Sequence, residues 1–205
     1  MKNDREYRDL RLEVEERTEN DEPSYIVRGY ASTFEPYVLF EDGGIQYKEV
    51  IDPHAFDECD MSDVVFRIDH EGAVYARSSA GTLKVSVDEH GLMDEADLSK
   101  TPNARNLFED IKAGNYPKQS FAFTVREDSY DKETHTRTIK KIKKLFDVSP
   151  VSFPANPTTE LDIATRDYFN GVIEAERAER LESEKRDRLK AQLELKLKLA
   201  ERKDK

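Results

Sequence analysis

His70, Ser120 and Asp147 occur in that order along the chain, each in or beside a stretch of alternating hydrophobicity. Together these residue types can make a hydrolytic nucleophile. A serine hydroxyl is weak at neutral pH, so a base must take its proton, and a third group orients that base and stabilises its cation. His70 closes Val64-Val-Phe-Arg-Ile-Asp-His70 and, on a period of two, shares an inward face with Val64, Phe66 and Ile68. An imidazole there is either a satisfied structural residue or a general base. Ser120 opens Ser120-Phe-Ala-Phe-Thr-Val125, with Phe121, Phe123 and Val125 on one face and Ser120, Ala122 and Thr124 on the other. Small neighbours leave room above the hydroxyl for a substrate, although spacing alone favours an ordinary polar-face serine. Asp147 sits in Leu145-Phe-Asp-Val-Ser149. A carboxylate inside an apolar strand needs a histidine or arginine partner, because burying it unpaired costs several kcal/mol.

Other catalytic signatures are missing. The chain has no Gly-x-Ser-x-Gly elbow, Gly-rich phosphate loop, His-Glu-x-x-His or Cys-x-x-Cys. A metal hydrolase built on Asp69, His70, Glu71 and His90 lacks ligand spacing on a common element, so neither a metal nor a cofactor is expected. His54 and His90 lie in turn-like contexts and take no role.

The elements that must position these residues are mostly strands. Period-two alternation with β-branched and aromatic content predicts them over 8–15, 25–34, 64–69, 82–88, 92–98, 120–126, 136–142 and 145–151, with a hairpin tip at 128–134. A helix is predicted over 101–113, where Thr101 can cap, Pro102 fits the first turn, Leu107, Phe108 and Ile111 give a buried face, and Gly114 follows. A shorter helical turn starts at Pro53 and includes Ala55 and Phe56. Many short strands with one or two helices predict a mainly β, α+β fold built on a closed or nearly closed β-barrel.

Two regimes divide the 205 residues. Residues 1–165 hold all eight prolines and all four histidines, and residues 166–205 hold no proline and one glycine, Gly171. The boundary falls near Pro154-Ala-Asn-Pro157, whose prolines interrupt helix and strand alike. The second regime reads as a charged helix, with Leu189, Leu193 and Leu197 at four-residue spacing. The run 193–199 alternates with period two, but its Leu, Lys and Glu content favours helix. Its stripe is narrow and its heptads are not sustained, which favours a free-standing helix or disorder over a coiled coil.

Charge and composition narrow the classes. The net charge is −11; residues 166–205 carry twelve basic and ten acidic residues, a net +2, which leaves about −13 on residues 1–165. Such an acidic domain is a poor match for nucleic acid, whose phosphates need clustered Lys and Arg. One cysteine, Cys59, permits no intramolecular disulfide and fits a reducing cytosol. No apolar run approaches the ~18 residues of a membrane span, and the charged start lacks the apolar stretch of a secretory signal, so an intracellular, soluble protein is expected.

The order of segments sharpens the reading. Gly29-Tyr-Ala-Ser-Thr-Phe34 is followed by Glu49-Val-Ile-Asp-Pro-His-Ala-Phe56, Phe66-Arg-Ile-Asp-His70, Arg77, Asp88-Glu-His-Gly-Leu92, the stretch from Gly114 through Ser120-Phe-Ala-Phe123, and Leu145-Phe-Asp-Val-Ser-Pro-Val-Ser-Phe-Pro-Ala-Asn-Pro157. Over residues 25–165 this resembles the prohead maturation proteases of tailed phages, which share a fold and ancestry with herpesvirus capsid-maturation proteases. The last block and the spacing from histidine to serine are the more specific parts.

The resemblance implies a barrel of the herpesvirus-protease type over residues 1–165, with 166–205 as an appended tail. It implies that His70 is the base and Ser120 the nucleophile. The third member stands in the strand before the Pro-Ala-Asn-Pro block, where this chain has Asp147; relatives carry Glu there. The herpesvirus proteases use a second histidine, which keeps His135 as the other candidate, although His135 lies in a predicted hairpin. His54 stands where the family favours Gly. The resemblance further implies a serine endopeptidase co-assembled inside the procapsid in the host cytoplasm. Such an enzyme cuts scaffold protein or the scaffolding segment of the major capsid protein, and then itself. Homodimers occur among the herpesvirus relatives. The competing reading is a non-enzymatic scaffold or assembly chaperone whose charged tail is the active part; a barrel-like region is superfluous for that role.

Overall fold

The structure, a computed structural model, describes residues 5–14, 18–19, 22–23, 25–152 and 163–203. The order of its elements is β1 (Glu6–Val14), β2 (Thr18–Glu19), β3 (Glu22–Pro23), β4 (Ile26–Thr33), β5 (Tyr37–Asp42), β6 (Ile45–Ile51), β7 (Val65–Ile68), β8 (Glu71–Arg77), β9 (Leu83–Val87), β10 (Gly91–Asp97), α1 (Pro102–Lys112), β11 (Lys118–Asp131), β12 (Thr136–Val151) and α2 (Ile163–Lys203). The predicted class, mostly β with helices, is what forms. The sequence stretch 154–157, expected to mark the boundary, lies outside the described residues.

Ten strands make one sheet in the order β5-β6-β12-β11-β1-β4-β10-β9, with the β7–β8 hairpin branching from β12, while β2 and β3 pair with each other. The expected closed or nearly closed barrel does not form. The path is open, ending on β5 and on β9, and the physical reason is a fork at β12. That strand takes β6 as a parallel partner along Thr136–Ile139 and then β7 along Asp147–Val148, so the sheet splits instead of continuing around. The core is completed by α1, whose Ala104, Leu107, Phe108 and Ile111 are buried with Val27, Phe66, Phe121 and Val148.

Local chemistry explains the elements. Thr101 Oγ1 accepts from the amide of Ala104, Pro102 occupies the first turn, and Gly114 adopts φ 85° after the last one. The amides of Gly114 and Asn115 close back on the carbonyls of Ile111 and Asp110, a Schellman ending. The stretch after Pro53 is a run of tight turns and not a helix, with Ala55 and Phe56 buried. The hairpin β5–β6, absent from the sequence reading, turns through Gly43 (φ 60°) and Gly44 (φ 82°), the left-handed pair that a two-residue hairpin requires.

The strands predicted over 136–142 and 145–151 are one strand. Ile139, Ile142 and Leu145 are all fully buried at a spacing of three, which a regular strand cannot give. Against the facing β11, the register shifts between Ala122 and Phe123 and between Thr124 and Val125, where Phe146 and Lys143 of β12 are the extra, bulged residues that restore the phase.

The first strand is held by buried charge. Arg8 Nη2 donates to Glu6 Oε2 (2.8 Å) and Glu49 Oε2 (2.8 Å), and Arg137 Nη1 donates to Glu6 Oε2 (2.7 Å). Arg137 Nε reaches Asp128 Oδ2 (2.6 Å). This cluster joins β1, β6, β11 and β12. Removing one member would leave an uncompensated buried charge, at a cost of about 3–5 kcal/mol.

The chain divides into two compact units, Met1–Ile163 and Ala164–Lys205. In the second, α2 runs through residues 193–199 as helix, and Leu181, Leu189 and Leu193 stand exposed. Among the described residues no helix is long and apolar enough to cross a membrane.

Candidate active site

β7 and β8 are joined by Asp69 and His70 alone, with Ile68 paired to Glu71 across the turn. Both turn residues have positive φ, 46° and 60°, the backbone of a tight hairpin that normally calls for Asn-Gly. His70 is therefore not the inward-facing strand residue that period two predicts; the left-handed turn breaks the alternation and carries its ring away from the strand's own face. The left-handed region is uncommon for a non-glycine residue, less so for Asp and His, and its strain persists only where surroundings over-determine it. Here they do. Asp69 Oδ1 accepts from the amide of Ser152 (2.9 Å), its Oδ2 accepts from Ser152 Oγ (2.9 Å), and its own amide donates to the Pro150 carbonyl (3.1 Å).

β11 and β12 supply the floor under that turn. Their antiparallel register sets Ser120 opposite Ser149 and Ala122 opposite Asp147, which places these four side chains on one face. Phe121 and Val148 pair on the other face and enter the core. The methyl of Ala122 leaves the space beside Asp147 that an imidazole needs.

The three residues form one hydrogen-bonded chain. His70 Nδ1 lies 2.6 Å from Asp147 Oδ1, and His70 Nε2 lies 2.8 Å from Ser120 Oγ. Ser149 Oγ donates to the same Asp147 oxygen at 2.7 Å. An ionised carboxylate only accepts, so the proton sits on Nδ1 and the lone pair of Nε2 faces the serine hydroxyl. The His70 side chain keeps 16% of its exposure and Asp147 only 3%, so one end of the chain meets solvent and the other is dry. Such an arrangement can draw the proton from Ser120 and hold the resulting imidazolium against a buried anion.

The other candidates lie apart. His135 forms the β11–β12 hairpin turn (φ 51°), beside Tyr130 Oη (3.2 Å) and the ring of Tyr47, at the far end of the two strands from Ser120. His54 bonds exposed Asp57, and His90 packs edge-on to Tyr30. Arg77 forks onto Asp63 at the end of β8. Among the described residues no group of three or more His, Cys, Asp or Glu is placed to hold a metal ion. Sequence reasoning missed Ser149 and Asp69. Ser149 could have been found, since it sits two residues after Asp147 on the same strand face, whereas nothing local marks Asp69 as the anchor of the histidine turn.

In a comparison with protein families, the model of the caudovirus prohead serine protease family matches residues 11–171. The chain belongs to that family. No curated protein and no solved structure matches it. Membership makes the chain a serine peptidase of phage capsid maturation, a class that acts on capsid components inside the procapsid.

Proposed function

We propose that the protein is an endopeptidase in which Ser120 attacks the scissile carbonyl, His70 takes its proton and returns it to the leaving amine, and Asp147 orients His70 and stabilises its cation. The observation that carries this reading is the continuous chain Ser120 Oγ–His70–Asp147, with contacts of 2.8 and 2.6 Å. The pinned turn behind His70 supports it, because a base must be held within hydrogen-bond reach of its nucleophile.

Its substrates are scaffold protein or the scaffolding segment of the major capsid protein, met inside the assembling procapsid in the host cytoplasm, and finally the enzyme itself. Residues 1–165 form the protease domain, and residues 166–205 recruit it into the shell. The exposed Leu181, Leu189 and Leu193 on a helix of mixed charge suit docking against coat or scaffold helices, and the charged tail is the segment lost on self-cleavage. Co-assembling coat and scaffold with wild-type or Ser120→Ala enzyme tests this. Cleaved scaffold with the wild type and intact scaffold in equally well-formed Ser120→Ala shells is expected. Normal processing by Ser120→Ala would remove the nucleophile assignment. Shells that fail to form when the protein is left out, yet form with Ser120→Ala and keep their scaffold intact without further maturation defect, would favour the scaffold role.

A further inference from the structure

Directly before Ser120, Gln119 is fully buried, and so is Asp94 of β10. Gln119 Nε2 donates to Asp94 Oδ1. β11 and β10 are separated in the strand order by β1 and β4, so this bond links two strands that are not neighbours in the sheet. The remaining oxygens of the same two groups, Asp94 Oδ2 and Gln119 Oε1, are both buried and both without a hydrogen-bond partner. An ionised carboxylate and an amide oxygen are acceptors only, so an anionic Asp94 would leave two buried acceptors unserved. A single proton on Oδ2 serves both: Oδ2–H donates to Gln119 Oε1 while Nε2–H donates to Oδ1.

We propose that Asp94 is held as the neutral acid in a two-bond cyclic pair with the Gln119 carboxamide, and that this pair positions the start of β11 immediately behind Ser120. The surroundings agree. Asp94 stands opposite Gly29 on β4 and Val85 on β9, and shares its face of β10 with Leu92 and Ala96. On β10, Glu95 is held by Arg28 and Lys84, and Asp97 by Lys100. On the Gln119 side, β1 presents Arg8, committed to Glu6 and Glu49, and Glu6, committed to Arg8 and Arg137. Burial pushes the Asp94 carboxyl up to about 8, against a smaller lowering by Gln119.

The sign follows. A carboxyl raised in the folded state gives stability that is fully present below its unfolded value near 3.8 and is lost as pH rises to about 8. Within that window folding takes up a proton, and its equilibrium constant falls by up to about tenfold per pH unit. Asp94→Asn keeps both bonds, because Nδ2 donates to Gln119 Oε1, and does not titrate.

Denaturant unfolding of wild type and Asp94→Asn at pH 5, 6 and 7 reads the first half of the proposal. The ratio of the variant's folding constant to that of wild type should climb with pH by up to about tenfold per unit. Infrared spectra at pH 6 should show a protonated-carboxyl carbonyl band that Asp94→Asn removes. A ratio flat with pH, or no such band, overturns the neutral pair. The second half rests on Ser120 as nucleophile. Asp94→Ala, which breaks both bonds, should lower kcat by about tenfold or more with KM unchanged, while Asp94→Asn keeps kcat. A folded Asp94→Ala with unchanged kcat overturns the positioning role. Unfolding and infrared readouts need no proteolysis, so failure of the protease reading would leave them standing.

Discussion

Replacing Asp147 by Asn separates orientation of the base from the presence of the base. The carboxylate takes the His70 Nδ1–H bond at 2.6 Å and the Ser149 Oγ–H bond at 2.7 Å on one oxygen, with 3% of its side chain exposed. Water therefore cannot stand in for it. Asn fits the same space but offers an N–H where a negative oxygen stood, and that donor makes Nδ1 an acceptor. The ring proton then moves to Nε2, which points an N–H at Ser120 Oγ where a lone pair is required. No anion remains to stabilise the imidazolium. In other serine triads this tautomer error lowers kcat by about 10⁴, or about 5 kcal/mol of transition-state stabilisation. The same loss is expected here, with KM within a few-fold and the melting temperature near that of wild type. Asp147→Glu should retain more activity than Asp147→Asn. The assay is single-turnover cleavage of purified scaffold or of a peptide carrying its cleavage site. A kcat within tenfold of wild type for a folded Asp147→Asn enzyme would refute the reasoning; if His135→Ala were inactive as well, the third role would pass to His135.

Asp69→Ala should lower kcat by about tenfold or more, because it frees the turn that aims His70, while Asp69→Asn, which tolerates positive φ and can still accept from the Ser152 amide, should recover most of it in the same assay. A chain ending near Arg166 should still cut scaffold in solution yet be poorly retained in procapsids, measured as protease copies per shell. Undiminished retention would place the targeting signal in residues 1–165.

Much of the site was legible because its residues obey local rules. Ser120 and Ala122 fall on the small-residue face of a period-two strand, and Asp147, out of place in an apolar run, called for a histidine or arginine partner, of which it has His70. The helix α1 was legible from Thr101, Pro102 and Gly114, each of which acts on the backbone within a few residues of itself. What was not legible depends on contacts distant in sequence. His70 was read as a strand residue because nothing in Ile68-Asp-His-Glu71 announces a left-handed turn, which Ser152 holds from the end of β12. The barrel was expected from the strand count and from the family resemblance. Its failure to close follows from β12 dividing its edge between β6 and β7, a matter of pairing that no single strand encodes. The bulges of β12 at Lys143 and Phe146 broke its alternation, so one long strand read as two.

The central claim is that Ser120 is a nucleophile activated by His70, and covalent labelling tests it most directly. Purified protein is incubated with a fluorophosphonate near neutral pH, and the modified residue is located by peptide mass spectrometry. The account predicts a single stoichiometric adduct on Ser120, abolished in Ser120→Ala and slowed by orders of magnitude in His70→Ala, with EDTA without effect. An unlabelled Ser120 in folded, active enzyme, or labelling that is indifferent to His70, would contradict it.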